Sequence, residues 1–344
     1  MAEGLFHKKS KVLVTGGAGF IGSHFVRLVM ERHADCQVTV LDKLTYAGSL
    51  YNLDSVKDDP RFSFVKGDIC NREDVLKAYE GCNAIVNFAA ETHVDRSIAS
   101  PGSFVMTDTF GVYVLMEVAK EKGVERFLQI STDEVYGEVM GDPVDEEAPL
   151  TPRNPYAASK AGGDRLAYSY YATYGVPVVI TRCSNNYGPN QYPEKMVPLF
   201  VTNAMEDKKL PVYGTGKNTR DWIFVRDHCE ALEALLAAGG VEGEVYNIGT
   251  GNELDVLQFT AEILRLLGKP ESLIAHVKDR PGHDRRYSMK ADKLRKATDW
   301  KPVTSFEKGL AETVKWYQDN SGWWQAIKSG EFKDYYSKAY DFEE

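Results

Sequence analysis

Asp133 and Glu134 set two carboxyl groups side by side directly after Thr132, where the apolar run RFLQIS ends. Further along, Tyr156 and Lys160 stand four residues apart, close to one helical turn, so their side chains share one face. An ammonium beside a phenol lowers the phenol pKa and makes a phenolate available near neutral pH, the base that takes an alcohol proton during hydride transfer. Adjoining carboxyls serve another purpose. Like charges at close range raise one pKa, so one group stays an acid while its neighbour stays a carboxylate base, the pair needed to expel water. Hydride transfer alone has no use for both sets, and their combination predicts oxidation coupled to elimination.

Hydride transfer requires a nicotinamide, and the N-terminal stretch KVLVTGGAGFIGSHFVRLVM runs from a β-branched strand through a glycine-rich turn into an amphipathic helix. Gly17, Gly19 and Gly22 form GxGxxG, and counted from Gly16 the spacing is GxxGxxG, with Phe20 and Ile21 opening the helix. Bare backbone at that spacing lets a pyrophosphate approach the helix N-terminus. Asp42 closes a second strand, QVTVLD. A carboxylate there accepts hydrogen bonds from the adenosine ribose and repels a 2′-phosphate, which predicts NAD over NADP. Lys43 next door is a mild counter-signal.

The 344-residue chain is long enough to bury a substantial core and form two lobes. A formal charge of −9 excludes broad nucleic-acid binding, so an anionic substrate must meet local basic residues against the overall field. Cys36, Cys70, Cys82, Cys183 and Cys229 are odd in number and scattered, without CxxC or His-rich spacing. Reduced, buried thiols and no metal site are expected. The leading MAEGLFHKKS is too short and too weakly apolar for a signal peptide, and no stretch approaches a membrane span, which predicts a cytoplasmic protein with no membrane partner.

These residues must be positioned by strands. KVLVTG, QVTVLD, FSFVKGD, AIVNFAA, RFLQIS and PVVITR alternate with helical segments such as REDVLKAYEG and GVYVLMEVAKEKG, the pattern of an α/β fold with a Rossmann-type doubly wound parallel sheet. Asp42, Asp68, Ala89, Ala90 and the Thr132–Glu134 triplet fall at strand carboxyl ends, where such sheets bind ligands, and can converge on one crevice. From Ser184 onward SNNYGPNQYPEK, LPVYGTGKNTRDW and DRPGHDRRY change the texture to Pro, Gly, Asn, Tyr and Arg, as expected of a smaller α/β substrate-binding lobe. No low-complexity linker separates the two, so they are expected to interleave. Residues 10–184 would form the NAD lobe and 185–301 the substrate lobe, with segments near 219–246 and 302–320 returning to the first and 321–344 forming an aromatic tail.

GGAGFIG, LDKLTYAG, GDI, FAAETHVDRS, ISTDEVYG, YAASK, CSNNYGP, PEK, LPVYG, RDW, YNIG and DRPGHDRRY together resemble the dTDP-glucose 4,6-dehydratases, extended members of the short-chain dehydrogenase/reductase superfamily. The similarity runs from about Lys11 to Tyr317, and the TDE triplet with SNNYGP, RDW and RPGHD is its narrowest part. Ala157 stands where serine is common, and Thr92 where serine is frequent; neither disturbs the chemistry.

The resemblance implies that Tyr156 takes the C4 hydroxyl proton of a dTDP-glucose substrate as hydride leaves for NAD, with Thr132 on the same oxygen. Glu134 then removes the C5 proton, Asp133 protonates the departing C6 hydroxyl, and the hydride returns to C6. It also implies that Asp42, Lys43, Thr45 and Gly48 hold the adenosine ribose, Asp68 and Ile69 the adenine, and Ala89, Ala90, Thr107, Lys160 and Asn186 the rest of NAD. Thr92, Asn185, Glu194, Lys195, Arg220, Asn247, Arg280, His283 and Tyr287 would surround the sugar and diphosphate, arginine suiting phosphate through its planar fork. His283 reads equally as a packing or hydrogen-bonding residue. A homodimer through helices of the NAD lobe is implied as well. A 4-epimerase or a UDP-glucuronate decarboxylase would share the cofactor site but needs no acid and base at C5–C6. A dehydratase for a CDP- or UDP-sugar, or a non-catalytic NAD sensor, are the other readings, the last disfavoured by the presence of Tyr156 and Lys160.

Overall fold

The β-branched and apolar runs become strands in the computed structural model, which describes residues 5–7 and 9–329. In chain order they are β1 (Ser10–Thr15), β2 (Cys36–Asp42), β3 (Phe62–Lys66), β4 (Ala84–Asn87), β5 (Arg126–Thr132), β6 (Val178–Cys183), β7 (Asn185–Tyr187), β8 (Leu210–Tyr213), β9 (Thr219–Phe224), β10 (Val245–Ile248), β11 (Glu253–Asp255) and β12 (Ile274–Val277). Seven join one sheet in the order β10-β6-β5-β4-β1-β2-β3, every neighbouring pair parallel.

Parallel strands are buried on both faces by their crossover helices, so successive side chains enter opposite cores. In β1, Val12 and Val14 pack with Phe25 and Val29 of the helix Phe20–Arg32 and with Leu232 and Leu235 of the helix Val225–Ala237. Leu13 between them points to the other face, joining Leu115 and Tyr170 of the helices Val112–Lys122 and Pro155–Tyr174. Strand order reverses around β1, which lies between β2 and β4, and a crevice opens at their carboxyl ends.

The second lobe holds a three-stranded sheet, β11-β9-β7, and the parallel pair β8 and β12. Its core gathers Phe200, Trp222, Phe259, Leu310, Tyr317 and Trp324. The chain passes between lobes more than once, but two crossings lie elsewhere than expected. Residues 219–224 are β9, which joins the second lobe's sheet with Trp222 and Phe224 in its core while Ile223 reaches the first; the full return begins with the helix from Val225. Residues 302–320 do not return: the helix Phe306–Asp319 inserts Leu310, Val314 and Tyr317 into the second core, with Phe306 5.0 Å from the Phe259 ring. Instead Leu294 and Trp300, read as substrate lobe, join the first core. Amphipathic periodicity shows that a helix has an apolar face and not which core receives it.

Four of the five cysteines are buried, Cys70 is half-buried against the expectation, and none is paired. Among the described residues no helix is long and apolar enough to cross a membrane. The aromatic tail opens as a packed helix, Ser321–Ser329, whose Trp324 is 1% exposed and donates its indole N–H to the Tyr317 carbonyl at 2.8 Å; the rest of that segment lies outside the described residues. Removing a fully buried tryptophan leaves a large cavity and an unmet carbonyl. Trp324→Ala should lower unfolding free energy by about 3–5 kcal/mol, measured by denaturant titration; an unchanged midpoint would mean that the helix is not part of the folded unit.

Candidate active site

A cavity of about 310 Å³ runs along the carboxyl ends of β1, β2, β4, β5 and β6. Its floor is backbone. Gly16 adopts a left-handed φ of 68°, and a Cβ there would come within 2.6 Å of the Ala89 nitrogen, while one on Gly22 would collide with the Gly16 carbonyl. The helix Phe20–Arg32 therefore starts hard against β1, and Gly19 at its N-cap offers no side chain to its first-turn N–H groups, leaving them available to an anion. Gly17 is different: its Cβ would strike Val40 in the core, and it does not line the cavity. It is a packing glycine rather than the cofactor contact expected of it.

Asp42 accepts the Ala18 N–H at 2.9 Å and the Leu44 N–H at 2.8 Å, one on each carboxylate oxygen, tying the glycine turn to the loop after β2. Lys43 pairs with Asp68 at 2.7 Å, so its ammonium is engaged by a carboxylate, which weakens the counter-signal for a 2′-phosphate. Thr45, Gly48, Ile69, Ala89, Ala90, Thr107 and Asn186 line the same cavity. Glycine cradle, uncapped helix start and strand-end carboxylate together fit a dinucleotide lacking a 2′-phosphate.

The reacting groups meet where β5 stops. A 3₁₀ turn, Asp133–Tyr136, follows at once, and the Thr132 hydroxyl caps it by accepting the Glu134 N–H at 3.2 Å. The same hydroxyl donates to Asp133 Oδ1 at 3.2 Å and lies near enough to the Tyr156 phenol to favour its charged form slightly against burial. Burial, followed by the charge of Glu134, pushes the Asp133 carboxyl up to about 8, so it is a neutral acid at pH 7. Glu134 Oε2 accepts from the Asn154 amide at 3.3 Å and lies 3.3 Å from the Tyr287 hydroxyl.

Asn154 caps the helix Pro155–Tyr174 by accepting the Ala157 N–H at 2.8 Å, with Pro155 preset for the first turn, and this places Tyr156 and Lys160 under the cavity. Their electrostatics run opposite to the expectation. Burial, then the charges of Glu134 and Asp108, hold the Tyr156 phenol well above its ordinary range. Burial depresses Lys160, whose ammonium donates to the Ile130 carbonyl at 2.7 Å. A phenolate thus requires positive charge beyond what Lys160 delivers.

On the substrate side, Thr92, Asn185, Glu194 and Lys195 line the cavity, and Lys195 donates to the Thr92 carbonyl. Glu194 is held by Tyr46 at 2.7 Å and Arg96 at 2.9 Å, with the guanidinium 3.9 Å from the Tyr46 ring. Arg220 stacks 4.1 Å over Tyr287 and donates to the Asp284 carbonyl at 2.8 Å. Arg280 reaches Asp95 at 3.3 Å, and His283 bonds Asp279 at 2.7 Å. These groups flank the cavity instead of lining it, and Tyr287 reaches it through Glu134. Asn247 is elsewhere: fully buried in β10, it accepts from Tyr136 at 2.8 Å and donates to the Lys290 carbonyl at 3.1 Å. With its amide committed on both sides it braces the sheet edge, not a substrate.

Sequence reasoning overlooked Asp108, Tyr46 and Arg96. Asp108 lies in a π-helical turn, Val105–Gly111, takes the Ser159 hydroxyl at 2.8 Å and the Glu91 N–H at 2.9 Å, and is pushed up to about 7 by burial against the pull of Lys160. A single acid inside the apolar run FVMTDTFGVYVLM was the available signal.

Because the folded Asp133 pKa lies above its ordinary 3.8, its contribution to stability is complete below the unfolded value and is lost as pH rises through about 8. Asp133→Asn, which cannot ionise, should therefore gain stability relative to the unsubstituted protein at pH 8 and not at pH 4. Parallel denaturant titrations at the two values check this; a pH-independent difference would contradict it.

A model of the family described as GDP-mannose 4,6 dehydratase matches residues 13–313. The dTDP-glucose 4,6-dehydratase of Streptomyces niveus is 51% identical over 323 residues, 93% of this chain and 96% of the relative. The low-salt glycan biosynthesis protein Agl12 of Haloferax volcanii is 51% identical over 306 residues, covering 89% and 98%. The crystal structure of a dTDP-glucose 4,6-dehydratase from Streptomyces venezuelae with NAD bound superposes with a TM-score of 0.90 at 49% identity, covering 92% of this chain and all of that one (100%). With a family model spanning most of its length and half its residues shared along nearly the whole of such relatives, the chain belongs to the nucleotide-sugar 4,6-dehydratase family and, within it, to the dTDP-glucose 4,6-dehydratases.

Proposed function

We propose that this protein is a hydro-lyase that converts dTDP-glucose to dTDP-4-keto-6-deoxyglucose with NAD held in the glycine-lined crevice. The observation that carries the reading is the placement of Asp133 and Glu134 side by side on the same cavity as Tyr156 and Lys160, with burial pushing the Asp133 carboxyl toward its neutral form. An alcohol oxidation could proceed without the two carboxyls; an elimination could not.

Tyr156 takes the C4 hydroxyl proton as C4 gives up a hydride, and Thr132 hydrogen-bonds that oxygen. A ketone at C4 acidifies C5–H, which the Glu134 carboxylate removes while Asp133 protonates the C6 hydroxyl and water departs. C6 then regains the hydride and C5 a proton. NAD supplies hydride acceptance and return, and a positive charge near the phenol. Thr92, Asn185, Lys195, Arg220, Arg280 and Tyr287 serve the sugar and diphosphate, Glu194 holding the loop that carries Lys195.

We further infer a homodimer, on the ground that Met106, Phe110, Tyr113, Tyr171 and Tyr174 stand exposed on adjoining helices of the NAD lobe. A cytoplasmic location suits five unpaired cysteines.

Substrate deuterated at C4 should give product carrying the label in its C6 methyl group, with solvent deuterium at C5 in D2O. Glu134→Gln keeps the shape but loses the base, so it should reduce NAD and stall before water is lost, with turnover down by about a hundredfold or more. Rapid-quench mass analysis and absorbance of the reduced cofactor read both; a C4 label that never reaches C6 would sink the reading.

A further inference from the structure

The elimination pair and the oxidation pair stand on different elements. Asp133 and Glu134 belong to the turn after β5, whereas Tyr156 and Lys160 belong to the helix Pro155–Tyr174. One sugar must meet both, its C4 at the phenol and its C5 and C6 at the carboxyls, so the spacing between turn and helix has to be held. A misplacement of about 1 Å is enough to cost about a hundredfold in rate.

The helix reaches the turn in two ways. At its start, the cap residue Asn154 donates to Glu134 Oε2 at 3.3 Å. The second connection is buried. Tyr156, Lys160 and Asp164 follow at four-residue steps on one stripe of the helix; Lys160 bonds β5 through the Ile130 carbonyl, and Asp164 turns to β6. Val178 and Ile180 of β6 pack into the core beneath this helix, and by strand alternation Arg182 faces the same way. Its fork grips Asp164 twice, Nε to Oδ2 at 2.9 Å and Nη2 to Oδ1 at 3.1 Å. The remaining Nη1 donates to the Tyr136 hydroxyl at 2.8 Å and to the Glu146 carbonyl at 3.3 Å. That hydroxyl in turn donates to Asn247 Oδ1 on β10 at 2.8 Å. Tyr136 is the last residue of the 3₁₀ turn that begins with Asp133, and its carbonyl takes the Thr151 hydroxyl at 2.5 Å.

Asp164 is 0% and Arg182 1% exposed. An ion pair taken wholly out of water is a poor source of stability, since apolar residues of similar volume often serve as well or better. What it supplies is direction: two parallel bonds fix the guanidinium plane against the helix, and the third nitrogen is thereby aimed at the Tyr136 oxygen. Burial pushes the Tyr136 phenol up to about 12, so it keeps the proton that it gives to Asn247. None of the three side chains lines the cavity.

We propose that Asp164, Arg182 and Tyr136 are positioning residues for the elimination step: a buried ruler that runs from the helix of Tyr156 and Lys160 to the turn of Asp133 and Glu134 and sets the carboxyl pair at C5 and C6 while the phenol holds C4.

This inference rests on the proposed dehydration, and step-resolved kinetics separate the two. Tyr136→Phe keeps the ring and removes the hydroxyl. Thr151→Val, at an exposed position, loosens the same end of the turn without entering the buried set. Each full-length NAD-loaded variant is mixed with dTDP-glucose and quenched from milliseconds to minutes, with reduced cofactor read by absorbance and the sugar nucleotide by mass. In Tyr136→Phe water loss should slow by about a hundredfold while oxidation keeps its rate, so that reduced cofactor and dTDP-4-ketoglucose accumulate to about one per site. Thr151→Val should show the same intermediate at a lower level. Equal slowing of oxidation and water loss, as general loosening of the fold would give, overturns the proposal; so does a loss confined to oxidation, or water loss at the normal rate in Tyr136→Phe. If Tyr136→Phe fails to retain NAD, Thr151→Val decides by the same criteria. An unsubstituted enzyme that loses no water from dTDP-glucose would instead refute the dehydratase reading itself.

Discussion

A parallel sheet gathers the carboxyl ends of its strands on one edge, and every group of chemical consequence in this protein hangs from that edge. Backbone hydrogen bonding is complete inside the strands, so the end of each strand and the one or two residues past it are where a polar side chain or a tight turn can be placed without burying unmet groups. Asp42, Ala89, Thr132 and Ser184 follow from this single constraint. Adjacent strands in register keep the ends level, Thr132 of β5 pairing with Cys183 of β6, and β1 with both β2 and β4. Glycines at the turn after β1 then let a helix start within contact of the sheet.

Desolvation does the electrostatic work in the crevice. It raises Asp133 and Asp108 into the neutral range and lowers Lys160, in each case as the first cause. Side chains that would be unremarkable on a surface become a neutral acid, a second near-neutral carboxyl and a less basic amine. The same burial works against the phenol, whose ionisation is the one requirement that the protein groups leave for a bound cationic ring to meet.

The two lobes are held together across the crevice by charge as well as by chain crossings. Glu194, from the second lobe, is gripped by Tyr46 after β2 and by Arg96 after β4, so the loop bearing Lys195 is referenced to the cofactor side of the cleft. The C-terminal helices extend this on the outside, Tyr51 donating to Asn320 at 2.9 Å and lying 6.4 Å from the Trp323 ring. A substrate bridging both lobes would thus meet a wall whose halves are already fixed relative to one another.

Much of this was legible in one dimension because it depends on local periodicity and spacing. Alternation of β-branched runs with helical stretches determined the doubly wound sheet, the glycine spacing with Asp42 determined the dinucleotide turn, and the adjacency of Thr132, Asp133 and Glu134 with a Tyr/Lys pair one turn apart marked oxidation joined to elimination. What the chain could not reveal by itself is which surfaces meet. Helix Phe306–Asp319 has an apolar stripe that suits either core, and only packing sent it to the second. Asn247 and Gly17 have the right types for a site and are used for bracing and packing, while Asp108, Tyr46 and Arg96 gained their roles from partners fifty or more positions away in the chain, as Ser159 and Glu194 are. The high phenol of Tyr156 belongs to the same class, since a pKa is set by burial and by charges brought close in three dimensions, and neither quantity is written in the spacing of residues.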